Sequence, residues 1–193
     1  WWTIYKICQD PNVRICIISK TQRFAERFVN QIKAYLTNFD LYEGVSNLIA
    51  DFGPFYSPTA QWSATQIYVA GRTRAEKDPT VQAIGIKGDL QGARAQLVIL
   101  DDAVDMQNAH LWEDQFEWMT DVVQSRVFDG QILMVGTRAA PYDLYAALMD
   151  DDNFMGGESR WSRLKQPAVV EFADEEEDWV TLWPRSTQPF DPD

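Results

Sequence analysis

Two hydrophobic rhythms alternate along this chain. Short unbroken apolar runs suit strands buried on both faces, and longer stretches repeat with helical period. After the turn Asp10-Pro11-Asn12, Val13 to Ser19 reads as a strand with Ile15, Cys16, Ile17 and Ile18 as its core. Phe24, Phe28, Ile32, Tyr35, Leu36 and Phe39 then recur at helical spacing, which predicts a helix to about Thr37. Ser19 and Gln22 match a capping box at its start. Leu41 to Ile49 is a candidate short helix, and Gly53-Pro54 and Ser57-Pro58 are breakers. Gln66 to Ala70 and Val81 to Ile86 are extended pieces that can pair as a hairpin or ribbon, and Gly71 to Arg74 is a basic turn between them. Gly85, Gly88 and Gly92 punctuate a loop that ends in Arg94 and feeds the run Leu97 to Leu100.

Asn108 is a plausible cap for a helix over Ala109 to Val123, with Trp112, Phe116, Met119 and Val123 on one face. Asp129-Gly130 reads as a turn, Gln131 to Gly136 as another buried strand, and Tyr142 to Met149 as a helix with Asp143 near its start. An acidic loop holds Asp150 to Asp152 and Gly156-Gly157. Arg163 to Val170 is a late strand candidate, Asp174 to Asp178 a solvated acidic loop, and Trp179 to Trp183 a short apolar piece. The alternation of strand and helix predicts an α/β fold.

Three strand ends share a character. Ser19-Lys20-Thr21, Asp101-Asp102 and Gly136-Thr137 each follow a buried strand and precede a helix. Parallel strands with right-handed crossovers would bring all three to the carboxyl edge of one sheet, where open α/β sheets bind ligands. An apolar strand ending in Asp101 and Asp102 has the form of a Walker B strand; the bland alternative is a buried strand followed by an acidic turn.

Composition narrows the chemistry. The 193 residues suffice for one sizeable domain. The single histidine, His110, disfavours a His-based zinc site and a Ser-His-Asp triad. Cys8 and Cys16 lack motif spacing and read as reduced structural thiols. The net charge of -12 is uneven: residues 1–97 carry +3 and residues 98–193 carry -15. That is not the footprint of a strongly basic DNA binder, although the first half can present a local basic surface. No apolar run reaches the ~18 residues of a membrane span.

The order Gly92-Ala93-Arg94, Leu97 to Asp102, Met134 to Arg138 and Tyr142 to Tyr145 resembles the ATPase domain of phage terminase large subunits, the motors that package double-stranded DNA into capsids. Arg14 to Lys20 and Thr181 to Pro184 fit the same pattern. The resemblance implies a P-loop NTPase of the ASCE type, a mainly parallel sheet flanked by helices. ATP would be its substrate and Mg²⁺ its cofactor. It implies Asp101 as the Mg²⁺ ligand, Asp102 as the carboxylate that polarises the attacking water, and Gly136, Thr137 and Arg138 as the coupling motif. Arg94 becomes a candidate arginine finger for a neighbouring subunit, with Arg72 and Arg74 as competitors and a salt bridge to Asp89 or another acid as the plain alternative. Implied partners are double-stranded DNA, the portal protein, the small terminase subunit and further copies in a ring, in the host cytoplasm on the procapsid and with no membrane. A shorter Asp102 stands where many P-loop enzymes have Glu.

The pattern Gly-x-x-x-x-Gly-Lys-[Ser/Thr] is absent. The expectation is therefore an N-terminally truncated ATPase domain over residues 1–185, with Trp1 to Cys8 as the end of the P-loop helix. Residues 186–193 would begin a linker to an absent nuclease domain. With the P-loop strand missing, Ile132 to Gly136 should form an open, apolar sheet edge, and the chain alone should not bind ATP tightly. A helicase-like P-loop ATPase and a non-catalytic α/β interaction module are the alternative readings.

Overall fold

The computed structural model describes residues 1–37, 45–90, 93–165, 167, 169–171, 173 and 180–181. Its centre is a five-stranded sheet in the order β2-β3-β1-β4-β5. The strands are β1 (Ile15–Ser19), β2 (Gln66–Ile67), β3 (Val81–Gly85), β4 (Ala95–Asp101) and β5 (Val127–Val135). β3, β1, β4 and β5 are parallel, and β2 pairs antiparallel to β3 through Gln66–Gln82 and Ile67–Val81. The expected ribbon therefore forms, but its first strand is two residues long. A separate pair, β6 (Val169–Glu171) and β7 (Val180–Thr181), is antiparallel. The acidic run 174–178 and the tail 186–193 lie outside the described residues, as do Phe39, Leu41 and Gly92.

The period of two along each strand divides the interior into two cores. Cys16, Ile18, Ile84, Val98 and Leu100 face one side, where they meet Trp118, Met119, Val123, Leu144 and Leu148. Ile15, Ile17, Val81, Ala83 and Leu97 face the other, against Ile4, Ile7, Ala25, Val29, Ile32 and Leu36. Both faces of β1 are covered, so its apolar run is unbroken and all five residues are buried. The second core is covered by α1 (Trp2–Gln9), α2 (Gln22–Thr37) and α3 (Val45–Phe52). The first is covered by a helical stretch from Ala109 to Arg126, which contains α4 (Trp112–Glu117) and α5 (Gln124–Arg126), and by α6 (Leu144–Met149).

Several local expectations are corrected. Ser19 does not cap α2, because it is still paired within β1 and its carbonyl accepts from the Ile86 amide. Thr21 Oγ1 instead accepts from Phe24 N at 3.3 Å. Gln22 reaches sideways to β3, donating to the Ala83 carbonyl at 2.9 Å and accepting from Gly85 N at 3.3 Å. Asn108 makes no side-chain cap. Its amide Nδ2 donates to Ala103 O, and its Oδ1 accepts from Asp105 N, so it ties the preceding loop together. The helix that follows contains a π turn at Trp118–Val123. The wider turn brings Trp118 and Met119 into the core and leaves Trp112 and Phe116 half-buried.

Asp129-Gly130 is not a turn before β5 but a bulge inside it. Ala95 pairs with Val127 and Leu97 with Gln131, so four positions on β5 span what two span on β4. Asp129 takes φ 50°, and a Cβ on Gly130 would lie 2.4 Å from the Gln96 carbonyl oxygen. β5 is also only half buried. Ile132 and Met134 pack on the first core, whereas Leu133 is 42% exposed and Val135 50%. Among the described residues β5 has β4 as its single neighbour, so the expected open apolar edge is present.

Candidate functional site

The parallel pairing β1-β4-β5 sets the ends of three adjacent strands side by side. Ser19-Lys20-Thr21, Asp101-Asp102 and Gly136-Thr137-Arg138 thus share one carboxyl edge, with the two carboxylates in the middle. Asp101 closes β4 and is half-buried. Burial raises its pKa above the ordinary 3.8, and the charge of Asp102 raises it further. Among the described residues no ion pair includes Asp101. Asp102 is exposed and adopts φ 43°, a left-handed backbone that is uncommon for a residue with a side chain. Its amide donates to the Val135 carbonyl at 3.0 Å, so the exit from β4 is tied to the end of β5.

The turn after Asp102 is built around Asp105. Asp105 Oδ1 accepts from the amides of Gln107 and Asn108, and Lys20 Nζ lies 3.0 Å from its Oδ2. The hydrogen bond from Lys20 holds the Asp105 carboxyl below its usual pKa, against a smaller opposing effect of desolvation. Lys20 also stands 4.5 Å from the centre of the Phe24 ring. The cation at the end of β1 is therefore used to hold the loop that follows the carboxylates.

On the other side, β5 runs out into Gly136, Thr137 and Arg138, all exposed. A Cβ on Gly136 would fall 2.1 Å from the Tyr145 hydroxyl, so any side chain here would displace the Tyr145 ring from this strand end. Arg138 is engaged within its own loop. Its Nη2 donates to the carbonyls of Ala140 and Pro141, and its Nε lies 3.0 Å from Asp143 Oδ1. Asp143 is wholly buried, and its carboxylate also accepts from the amides of Ala139, Ala140 and Ala146. Sequence reading placed Asp143 only near the helix start. Its offset of three from Ala146, directly before a helical apolar run, was the signal for a buried cap.

Arg94 is at the opposite end of β4. With a rise of about 3.3 Å per residue, eight residues put it more than about 20 Å from Asp102, so the two do not meet within one chain. Arg94 is exposed, and its amide donates to Asp78 Oδ2 at 3.2 Å. Arg72 packs on the Tyr68 ring and donates to the Asp78 carbonyl at 2.9 Å, which gives it a structural place in its turn. Arg74 is exposed, with its amide bound to Asn12 Oδ1.

Among the described residues no group of three or more His, Cys, Asp or Glu side chains is placed to hold a metal ion. Asp101 and Asp102 can offer one or two carboxylate oxygens to a cation that takes its other ligands from water and a substrate. That donor set fits Mg²⁺ better than a metal needing an all-protein cage. A cavity of about 1050 Å³ adjoins this edge, between Met134, Gly136, Tyr145 and Met149 on one wall and Trp161, Arg163 and Lys165 on the other.

The fold and the site define an α/β protein with a mostly parallel sheet and a carboxylate pair at its carboxyl edge. No family model matches the sequence. The chain is similar to the terminase large subunit of Enterobacteria phage T3, with 22% identity over 158 residues, covering 79% of this chain and 25% of that protein. The chain thus spans about a quarter of that relative's length. Among the described residues no helix is long and apolar enough to cross a membrane.

Proposed function

We propose that this chain is the Walker B and coupling part of a P-loop ATPase of the terminase kind, a motor that drives double-stranded viral DNA into a capsid. The observation that carries the reading is the position of Asp101 and Asp102 at the carboxyl end of β4, flanked by the ends of the parallel strands β1 and β5. The similarity to the phage T3 protein runs in the same direction.

In this reading Asp101 holds Mg²⁺, directly or through water, and Asp102 orients the water that attacks the terminal phosphate of ATP. The bound ion would neutralise charge on the phosphate oxygens. The Asp102 backbone amide, bonded to the Val135 carbonyl, ties the exit of β4 to β5, and Gly136, Thr137 and Arg138 would pass the nucleotide state on towards DNA. Arg94, remote from its own carboxylates, serves a neighbouring copy in a ring, where a guanidinium spreads positive charge over the transferring group. Portal protein and small terminase subunit are the further partners, on a procapsid in the host cytoplasm.

In this reading a glycine-rich phosphate cradle, a pattern these 193 residues lack, would have its place beside the open edge of β5. ATP hydrolysis by this chain, compared with the same chain joined to its upstream sequence, tests the reading. No turnover above background is expected from the chain alone, and DNA-dependent turnover is expected from the longer protein. A normal rate from the chain alone, or an upstream sequence without Gly-x-x-x-x-Gly-Lys-[Ser/Thr], would contradict it.

A further inference from the structure

The carboxylate pair leans on a second group of side chains that belongs to neither β4 nor β5. Tyr145, in the first turn of α6, reaches across the end of β5. Its hydroxyl occupies the place that a side chain on Gly136 would take. That hydroxyl is buried with no hydrogen-bond partner of good geometry. Its surroundings are nevertheless specific. Burial pushes the phenol up to about 12, the Val104 and Ala103 amides beside it work in the opposite sense, and the charges of Asp102 and Asp143 add to the rise. The ring tip therefore sits between the end of β5 and the turn that leaves Asp102.

Asp143 fixes the same loop from inside. It is wholly buried, yet three amides and the Arg138 guanidinium surround its carboxylate. A buried carboxylate so satisfied makes a rigid junction, and removing its charge would leave Arg138 without its counter-charge and weaken the hydrogen bonds from the loop amides. The loop it holds connects β5 to α6. The last residue of β5, Val135, carries the carbonyl that accepts from Asp102 N. Asp102 is the residue held at φ 43°, and such a backbone persists only where its surroundings impose it.

We propose that Asp143 and Tyr145 are positioning residues for the carboxylate pair: together they press the end of β5 against the exit of β4 and hold Asp102 in its left-handed conformation. Neither touches substrate in this arrangement; both act through Val135, Gly136 and the turn at Ala103. The catalytic consequence rests on the ATPase reading above, whereas the geometric one does not. A small displacement of an aligned carboxylate is costly to a reaction that needs an in-line water.

Two variants separate positioning from packing. Tyr145→Phe keeps the ring and removes only a hydroxyl that lacks a partner, so a purely structural role predicts unchanged or slightly higher stability and no other effect. Asp143→Asn keeps the shape and removes the charge. The first readout is nuclear magnetic resonance of this chain, using the coupling between the amide and α protons of Asp102 and its Cα shift, which report φ. The wild type should show left-handed values, and both variants should lose them in part or whole. The second readout is steady-state ATP turnover in the longer protein, where both variants should lower kcat by about tenfold or more with KM for ATP unchanged. Left-handed values at Asp102 that persist in both variants overturn the proposal, whatever the turnover. If Asp102 moves in the variants but Asp101→Asn leaves turnover intact, the positioning role stands and the ATPase reading falls.

Discussion

At the residue scale the site turns on a carboxylate kept in a costly place. The folded-state pKa of Asp101 is raised, by burial first and by Asp102 second. A raised carboxyl pKa means that the folded chain binds this proton more tightly than the unfolded chain does. Its contribution to stability is therefore greatest in acid and is lost as pH rises from the unfolded value through the higher folded one. Asp101→Asn should remove that loss. Denaturant unfolding across a pH series should show the wild type falling relative to the variant above about pH 4, the ordinary carboxylate range, with the variant no less stable at neutral pH. A variant that is less stable at neutral pH would mean that Asp101 has a stabilising partner. The two acids were legible in the sequence as a pair at a strand end. Their inequality was not, because it depends on Asp101 ending a buried strand while Asp102 has turned out into solvent.

Elements show where sequence patterns mislead. Asp129-Gly130 carries the chemistry of a turn, and the positive φ at Asp129 agrees. Turn chemistry does not say whether the chain reverses or merely bulges, and here β4 continues alongside. The tight approach to Gln96 makes a test. Gly130→Ala should destabilise the chain by about 1–3 kcal/mol through overlap with the β4 backbone, read as a lower denaturant midpoint at unchanged slope. No change would mean that β5 can move away from β4 freely at this point. The pairing of Ser19 with Gln22 failed for a related reason. A capping box is defined by spacing alone; the strand ends at Ser19 as expected, but the helix begins only at Gln22, so Ser19 is still strand and Thr21 takes the place before the first turn. Tyr145 and Gly136 lie nine residues apart, on a helix and a strand end, and no local period relates them.

For the whole molecule, the apolar runs were enough to read the sheet. Leu97 to Leu100, Ile15 to Ile18 and Ile132 to Val135 became three adjacent parallel strands because each run is bounded by polar residues and followed by a helical stretch. An open edge at β5 was expected from the family resemblance, and among the described residues β5 pairs with β4 alone. The separation of Arg94 from Asp102 was legible as well, since an extended strand between them carries them to opposite ends of β4. What remained hidden was the cavity beside β5, which depends on residues 161–165 returning to that side of the sheet, a tertiary event with no periodic signal.

On the proposed reading, Asp101 and Asp102 form the metal-binding and water-orienting half of an ATP site. ATP turnover by the longer protein with Asp101→Asn, beside the wild type and at saturating Mg²⁺, tests it most directly. The variant should show a fall of about a hundredfold or more in kcat, since several kcal/mol of charge stabilisation would be lost, with thermal stability equal to or above that of the wild type. Turnover within about twofold of the wild type, a change too small to reflect a lost metal ligand, would contradict it.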